Sequence, residues 1–194
     1  MSDVTKVESL TASRMNPADV IAKEYLSFFL DSEVYGLDLS RIQSIIAVPE
    51  LTEVPRAPRP VVGICSVRGV LITVVDLRRR MQLAERPLTR QARILLTTTR
   101  DDEAIGLLVD GVRHVVRPKP EQVELTAPIF GNELTEHVIG IARITDEAEN
   151  NGKRGASSPS RDAAARSPNR RVQEDVIVLL SVDTLCGPSL GRHG

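Results

Sequence analysis

The chain has 194 residues, with 25 Lys and Arg against 26 Asp and Glu and a formal net charge of −1. That length suits one domain, or two small ones around a common core, and the near-neutral balance gives no global field toward nucleic acid or anionic lipid. Met1 is followed by polar residues without the apolar stretch of a signal peptide, and apolar runs such as 176–180 are far too short to span a bilayer, so a cytoplasmic protein with no direct membrane insertion is expected.

Residues 1–22 show no sustained periodicity and read as a disordered polar tail. From Glu24 the pattern turns to strands: Tyr25-Leu26-Ser27-Phe28-Phe29-Leu30, a turn at Asp31-Ser32-Glu33, then Val34-Tyr35-Gly36-Leu37-Asp38-Leu39. Ser40 is placed to cap a short helical or extended stretch carrying Ile42, Ile45 and Ile46. Pro49, Pro55, Pro58 and Pro60 exclude helix from the loop that follows. Two strands over 61–67 and 70–75 meet at Arg68-Gly69, and 76–81 reads as a short helix with a polar face. A second hairpin, 92–99 with 103–109, turns at Arg100-Asp101-Asp102. Residues 146–174, with Asn150-Asn151-Gly152 and Ser157-Ser158-Pro159-Ser160, lack apolar periodicity and read as a disordered insert in the last hairpin. Lengthening such a loop costs roughly a few kcal/mol of closure entropy, so the flanking strands can still pair. A C-terminal tail is expected over 186–194.

The second half repeats the plan of the first. Placing Gly36 on Gly106 aligns Leu37 with Leu107, Leu39 with Val109, Ile42 with Val112, Ile45 with Val115 and Ile46 with Val116. Placing Gly63 on Gly140 aligns Val62 with Ile139, Ile64 with Ile141 and Val67 with Ile144. The pentapeptide 71–75 then matches 176–180. A repeat of about 70 residues is too long for a solenoid unit and suits a small barrel that hides its strand edges. The expected fold is all-β, two small barrels packed together, with copies over about 23–85 and 90–185. Two thin cores that share apolar surface make one more stable unit.

Catalytic equipment is missing from this pattern. His114, His137 and His193 have no metal-binding spacing, no nucleophile elbow or phosphate loop appears, and neither Cys65 nor Cys186 lies in a paired motif. Both cysteines read as buried small hydrophobes. No enzyme, no catalytic residue, no cofactor and no metal are therefore expected. Nucleic-acid binding is the second class considered, because small barrels bind single strands by stacking bases over a basic groove. Here Tyr25, Phe28, Phe29 and Tyr35 fall where alternation points to core, and Arg78-Arg79-Arg80 reads as a solvated helix face. An interaction module remains.

Gly63-Ile64-Cys65-Ser66-Val67-Arg68-Gly69-Val70-Leu71-Ile72-Thr73-Val74-Val75-Asp76-Leu77-Arg78 resembles the signature of the CheW family of chemotaxis adaptors, usually written G-V-x-N-L-R-G-x-x-x-P-V-x-D-L. Tyr35-Gly36-Leu37-Asp38-Leu39 with Ile42 looks like the family's opening hairpin, and Ile105-Gly106-Leu107-Leu108-Val109-Asp110-Gly111-Val112 like its G-x-x-V-D-x-V segment. The likeness covers about 24–185 apart from the insert. It implies tandem SH3-like barrels and a scaffold at receptor arrays. The implied partners are the cytoplasmic tip of a chemoreceptor and the regulatory domain of a CheA-type histidine kinase. Transferred position by position, the implied receptor-binding residues are Ile42, Gly63 and Arg68, while kinase-contact residues are not assigned. Gly63 would leave room for close approach, and Arg68 would fix register through carboxylate or carbonyl contacts. Three departures stand out: Ser44 where the family commonly has a Glu that pairs with the motif arginine, Ser66 for Asn, and Thr73 for Pro. Arg68 is thus left to find another acid, Asp38 or Glu53, or to face the partner. A scaffold of a gliding, pilus or developmental pathway fits the same motifs.

Overall fold

The computed structural model describes residues 23–99, 102–125, 135–145 and 174–187; the expected tail at 1–22, residues 146–173 of the expected insert and residues 188–194 lie outside the described residues. In chain order the strands are β1 (Tyr25–Leu30), β2 (Glu33–Asp38), β3 (Ser44–Ala47), β4 (Val61–Val67), β5 (Val70–Asp76), β6 (Arg93–Thr98), β7 (Ala104–Val109), β8 (Gly111–Val116), β9 (Val123–Leu125), β10 (Val138–Thr145) and β11 (Glu174–Leu180). A single helical turn follows β5 (α1, Leu77–Arg80) and another follows β11 (α2, Val182–Leu185). The Asp76 carboxylate caps α1 by accepting from the Arg78 amide at 2.8 Å, as an acidic residue at a helix start should. The stretch after β2 differs from expectation. Asp38, not Ser40, caps the 3-10 turn Leu39–Arg41, and Ile45 and Ile46 belong to β3.

These strands form two sheets, ordered β8-β1-β2-β11-β10-β9 and β3-β6-β7-β5-β4. Neighbours are antiparallel except β2 with β11 and β5 with β7. The expected division into one barrel over 23–85 and another over 90–185 is not how the strands sort. Each hairpin stays whole, but the third strand of each copy pairs with the first strand of the other: β8 with β1, and β3 with β6. The exchange covers edges that either hairpin would otherwise expose. The repeat itself holds in space. Gly63 lies opposite Val74 and Gly140 opposite Leu179, each just past a register shift at the same place in its strand.

Alternation along the strands builds three apolar layers. Cys65, Ile72, Val74, Ile94, Leu96 and Leu108 fill the inside of the β3–β7 sheet. Tyr25, Val116, Ala142, Ile177 and Leu179 fill the other. The opposite faces of the same strands, including Leu37, Leu95, Leu107 and Leu180, meet in a layer common to both sheets. Each of those four leucines is essentially fully buried, at about 1.5–3 kcal/mol apiece, which outweighs half-exposed ion pairs at about 0–1 kcal/mol. Cys186 packs into this common layer as well, so the chain after α2 does not become a tail at residue 186.

Polar pins set the corners. Arg78, expected on a solvated face, is only 7% exposed. Its Nε donates to both carboxylate oxygens of Asp110 at 2.7 and 2.9 Å, and Nη1 donates to the Ala84 carbonyl at 2.8 Å. Asp110 sits where β7 crosses to β8 in the other sheet, and it also accepts from the Asp31 amide at 2.7 Å.

Candidate docking site

Ile42, Gly63 and Arg68 all belong to the β3–β7 sheet or its borders. The β3–β6 register sets Ser44 opposite Leu96, β6–β7 sets Thr98 opposite Ala104, and β5–β7 sets Thr73 opposite Ile105. Followed across the sheet, these registers bring the start of β3, the β6–β7 turn and the β4–β5 turn to one end. Ile42 and Arg68 therefore share that end. The Thr52–Ile64 bridge ties the segment after β3 to β4 and helps close the wall between the two.

Arg68 occupies a constrained position. It and Gly69 form a two-residue turn between Val67 and Val70, with φ of 53° and 82°. Positive φ at both central residues is the pattern of a type I′ hairpin turn, which suits glycine well and a long L side chain poorly. Among the described residues the Arg68 guanidinium has no hydrogen-bond or ion-pair partner. Asp38, one acid proposed for it, is held by Lys23 at 2.7 Å and by the Ser40 hydroxyl at 2.6 Å. Burial works to raise the Asp38 carboxyl, but hydrogen bonds from Lys23 and from the Ser40 side chain and amide, with the Lys23 charge, hold it below the usual carboxylate range. Glu53, the other, makes no ion pair with Arg68. Beside the free cation Val70 is 53% and Leu71 69% exposed.

Ile42 ends the 3-10 turn in extended conformation and packs, half-buried, against the common layer. Ile45, the second residue of β3, is 42% exposed. Ile45 thus leaves apolar surface on β3, which stands at the end of its sheet order. Ser44, where the resemblance leads one to expect a Glu, opens β3 opposite Leu96.

Gly63 has a local role in the fold as well. The room beside it is taken by the chain itself: a Cβ there would lie 2.6 Å from the Thr52 carbonyl oxygen, at a φ of +152°. Gly140 is its counterpart in the repeat, with a Cβ position 2.8 Å from the Glu124 carbonyl oxygen. The close approach belongs to barrel closure in both copies.

Sequence reasoning missed the polar pins around these residues. Arg41, next to Ile42, donates to Asp183 at 2.9 Å, a partner 142 residues away. No local pattern announces such a pair. Among the described residues no group of three or more His, Cys, Asp and Glu side chains could hold a metal ion, and no helix is long and apolar enough to cross a membrane.

The model of the CheW-like domain matches residues 24–186, nearly the whole described body. This chain belongs to the CheW-like family. It is 27% identical over 128 residues to the chemotaxis protein CheW of Klebsiella aerogenes, covering 65% of this chain and 75% of that one. To the chemotaxis protein CheW of Thermotoga maritima it is 32% identical over 103 residues, 53% of this chain and 67% of that one. Among solved structures it is similar to the scaffolding protein TtCheW of Thermoanaerobacter tengcongensis, with a TM-score of 0.64 at 24% identity, covering 85% of this chain and 92% of that one. The two sheets are thus the paired SH3-like barrels of a CheW-like fold.

Proposed function

We propose that this CheW-like protein is a non-catalytic scaffold that couples chemoreceptors to a CheA-type histidine kinase on the cytoplasmic face of receptor arrays. The observation that carries the reading is Arg68: a cation without a partner among the described residues, held at positive φ on a two-residue turn, beside exposed Val70 and Leu71. A positive φ at a non-glycine residue is a cost to the fold, and the exposed charge it presents is open to a contact. A helical receptor tip docks through apolar anchors in such a setting. Ile42 and Ile45 supply apolar contact, and Arg68 supplies charge-assisted hydrogen bonds that set register. The names of the related proteins, chemotaxis and scaffolding proteins, support the same role.

Reconstitution with a receptor cytoplasmic fragment and the kinase tests it. Addition of the protein should raise receptor-controlled kinase autophosphorylation and bring receptor and kinase down together in sedimentation; no change in either measurement sinks the adaptor role. Arg68→Glu should weaken receptor-tip binding about tenfold, about 1.4 kcal/mol, at an unaltered thermal midpoint. Wild-type affinity in that variant would remove Arg68 from the site.

A further inference from the structure

The segment that carries Ile42 holds to the core by half-buried side chains alone, Leu39 and Ile42 packing against the common layer. The 3-10 turn Leu39–Arg41 buries no side chain, and Ile42 is only half-buried. Backbone hydrogen bonds hold its ends, from Leu39 N to the Glu24 carbonyl at 2.8 Å and from Gln43 N to the Leu96 carbonyl at 2.8 Å. Between these ends Arg41 adds a polar restraint to that packing. Its Nη2 donates to Asp183 Oδ1 in α2 at 2.9 Å and to the Thr98 carbonyl at the end of β6 at 3.3 Å. The Arg41 carbonyl accepts from the Thr97 hydroxyl at 2.8 Å, on a residue with no solvent exposure. Asp183 belongs to one barrel and Thr97 and Thr98 to the other, so one residue ties the crossover to both.

The repeat offers a comparison. At the other crossover, between β7 and β8, the charges are reversed: Asp110 lies on the crossover and Arg78 on α1. That pair is buried on its arginine side, with the Arg78 side chain 9% exposed, whereas Arg41 and Asp183 are 34% and 25% exposed. A pair as exposed as the second adds little to global stability. Its leverage falls on the direction of the segment it holds, which is where Ile42 sits.

We infer that Arg41 is a positioning residue for docking: by tying the crossover to α2 and to β6 together, it fixes how Ile42 and Ile45 face the receptor tip. The inference relies on the adaptor reading only for the identity of that partner. The test compares full-length wild type with Arg41→Ala, Asp183→Ala and the double variant. Three quantities are measured: affinity for a soluble receptor cytoplasmic fragment, affinity for the kinase regulatory domain, and amide hydrogen exchange at Ile42 and Gln43. Each single substitution should weaken receptor binding about five- to tenfold, and the double no further than the weaker single, as two members of one pin should behave. Kinase-domain affinity should change less than about twofold, and exchange should quicken at Ile42 and Gln43 but not at Leu95 or Leu107. Equal loss toward both partners with a lowered thermal midpoint would make the pair a general clamp and overturn the inference. So would unchanged receptor affinity in all three variants. If wild type itself binds no receptor fragment, the adaptor reading fails. Exchange at Ile42 and Gln43 then decides the pin alone, and unaltered exchange rejects it.

Discussion

Gly63 and Gly140 impose the same local condition in two places, since each leaves just enough space for a neighbouring backbone carbonyl. Gly63→Ala should therefore act on the fold first. Forced positive φ plus the Thr52 contact should lower unfolding free energy by about 2–4 kcal/mol, read as a shifted urea midpoint. Retained stability with lost receptor binding would return Gly63 to the contact surface. Tyr25 gives a second residue-scale expectation. Burial, with the Asp38 charge beside it, pushes its phenol from 10.0 up to about 12. The folded chain then keeps a proton that the unfolded chain releases near pH 10. That stabilisation is whole below the unfolded value and lost as pH rises through the folded one. Burial and hydrogen bonding to Glu33 raise Tyr35 as well. Phenolate absorbance should consequently appear together with loss of circular dichroism at alkaline pH. Titration near pH 10 with the ellipticity intact would show a phenol open to water.

Among the elements, α1 is short, yet it anchors a corner. Arg78→Ala would leave Asp110 and the Asp31 amide contact around an uncompensated charge, and should destabilise by about 2–3 kcal/mol. Arg79→Ala, on the same turn but with its ion pairs to Asp76 and Glu85 near the surface, should cost under about 1 kcal/mol. Chemical denaturation of the two variants side by side checks this, and equal midpoints would deny Arg78 its role as a pin. The sequence could not separate the two arginines. A run of three reads as solvated, and only the distant Asp110 distinguishes the first. By contrast, β1, β2, β4, β5, β6 and β7 were legible, because period-two alternation is a local signal. The cap at Asp38 was misplaced by two residues for a related reason: both Asp38 and Ser40 are good capping types.

At the scale of the whole molecule, the duplication could be read from paired glycines and aligned aliphatics, while the exchange of strands between copies could not. Alternation states which side chains point inward and says nothing about which edge will lie alongside. Interleaving makes the two barrels one cooperative unit. A chain divided in the exposed stretch between α1 and β6 should give halves that are unfolded apart and regain β-sheet ellipticity when mixed. A folded isolated half would mean that each copy can close by itself. The candidate site divides along the same line. Its residue types were visible in the motif around Arg68, but the common end that Ile42 and Arg68 occupy depends on registers across five strands.

The place of β11 bears on how the protein is made. Lying between β2 and β10, it is delivered by the ribosome long after the opening hairpin that waits beside it. Until Leu180 has emerged, the first sheet exists as two unjoined pieces, β8-β1-β2 and β10-β9. A transcript cut short before β11 would thus yield not a smaller scaffold but a sticky, half-zipped ribbon suited to proteolysis.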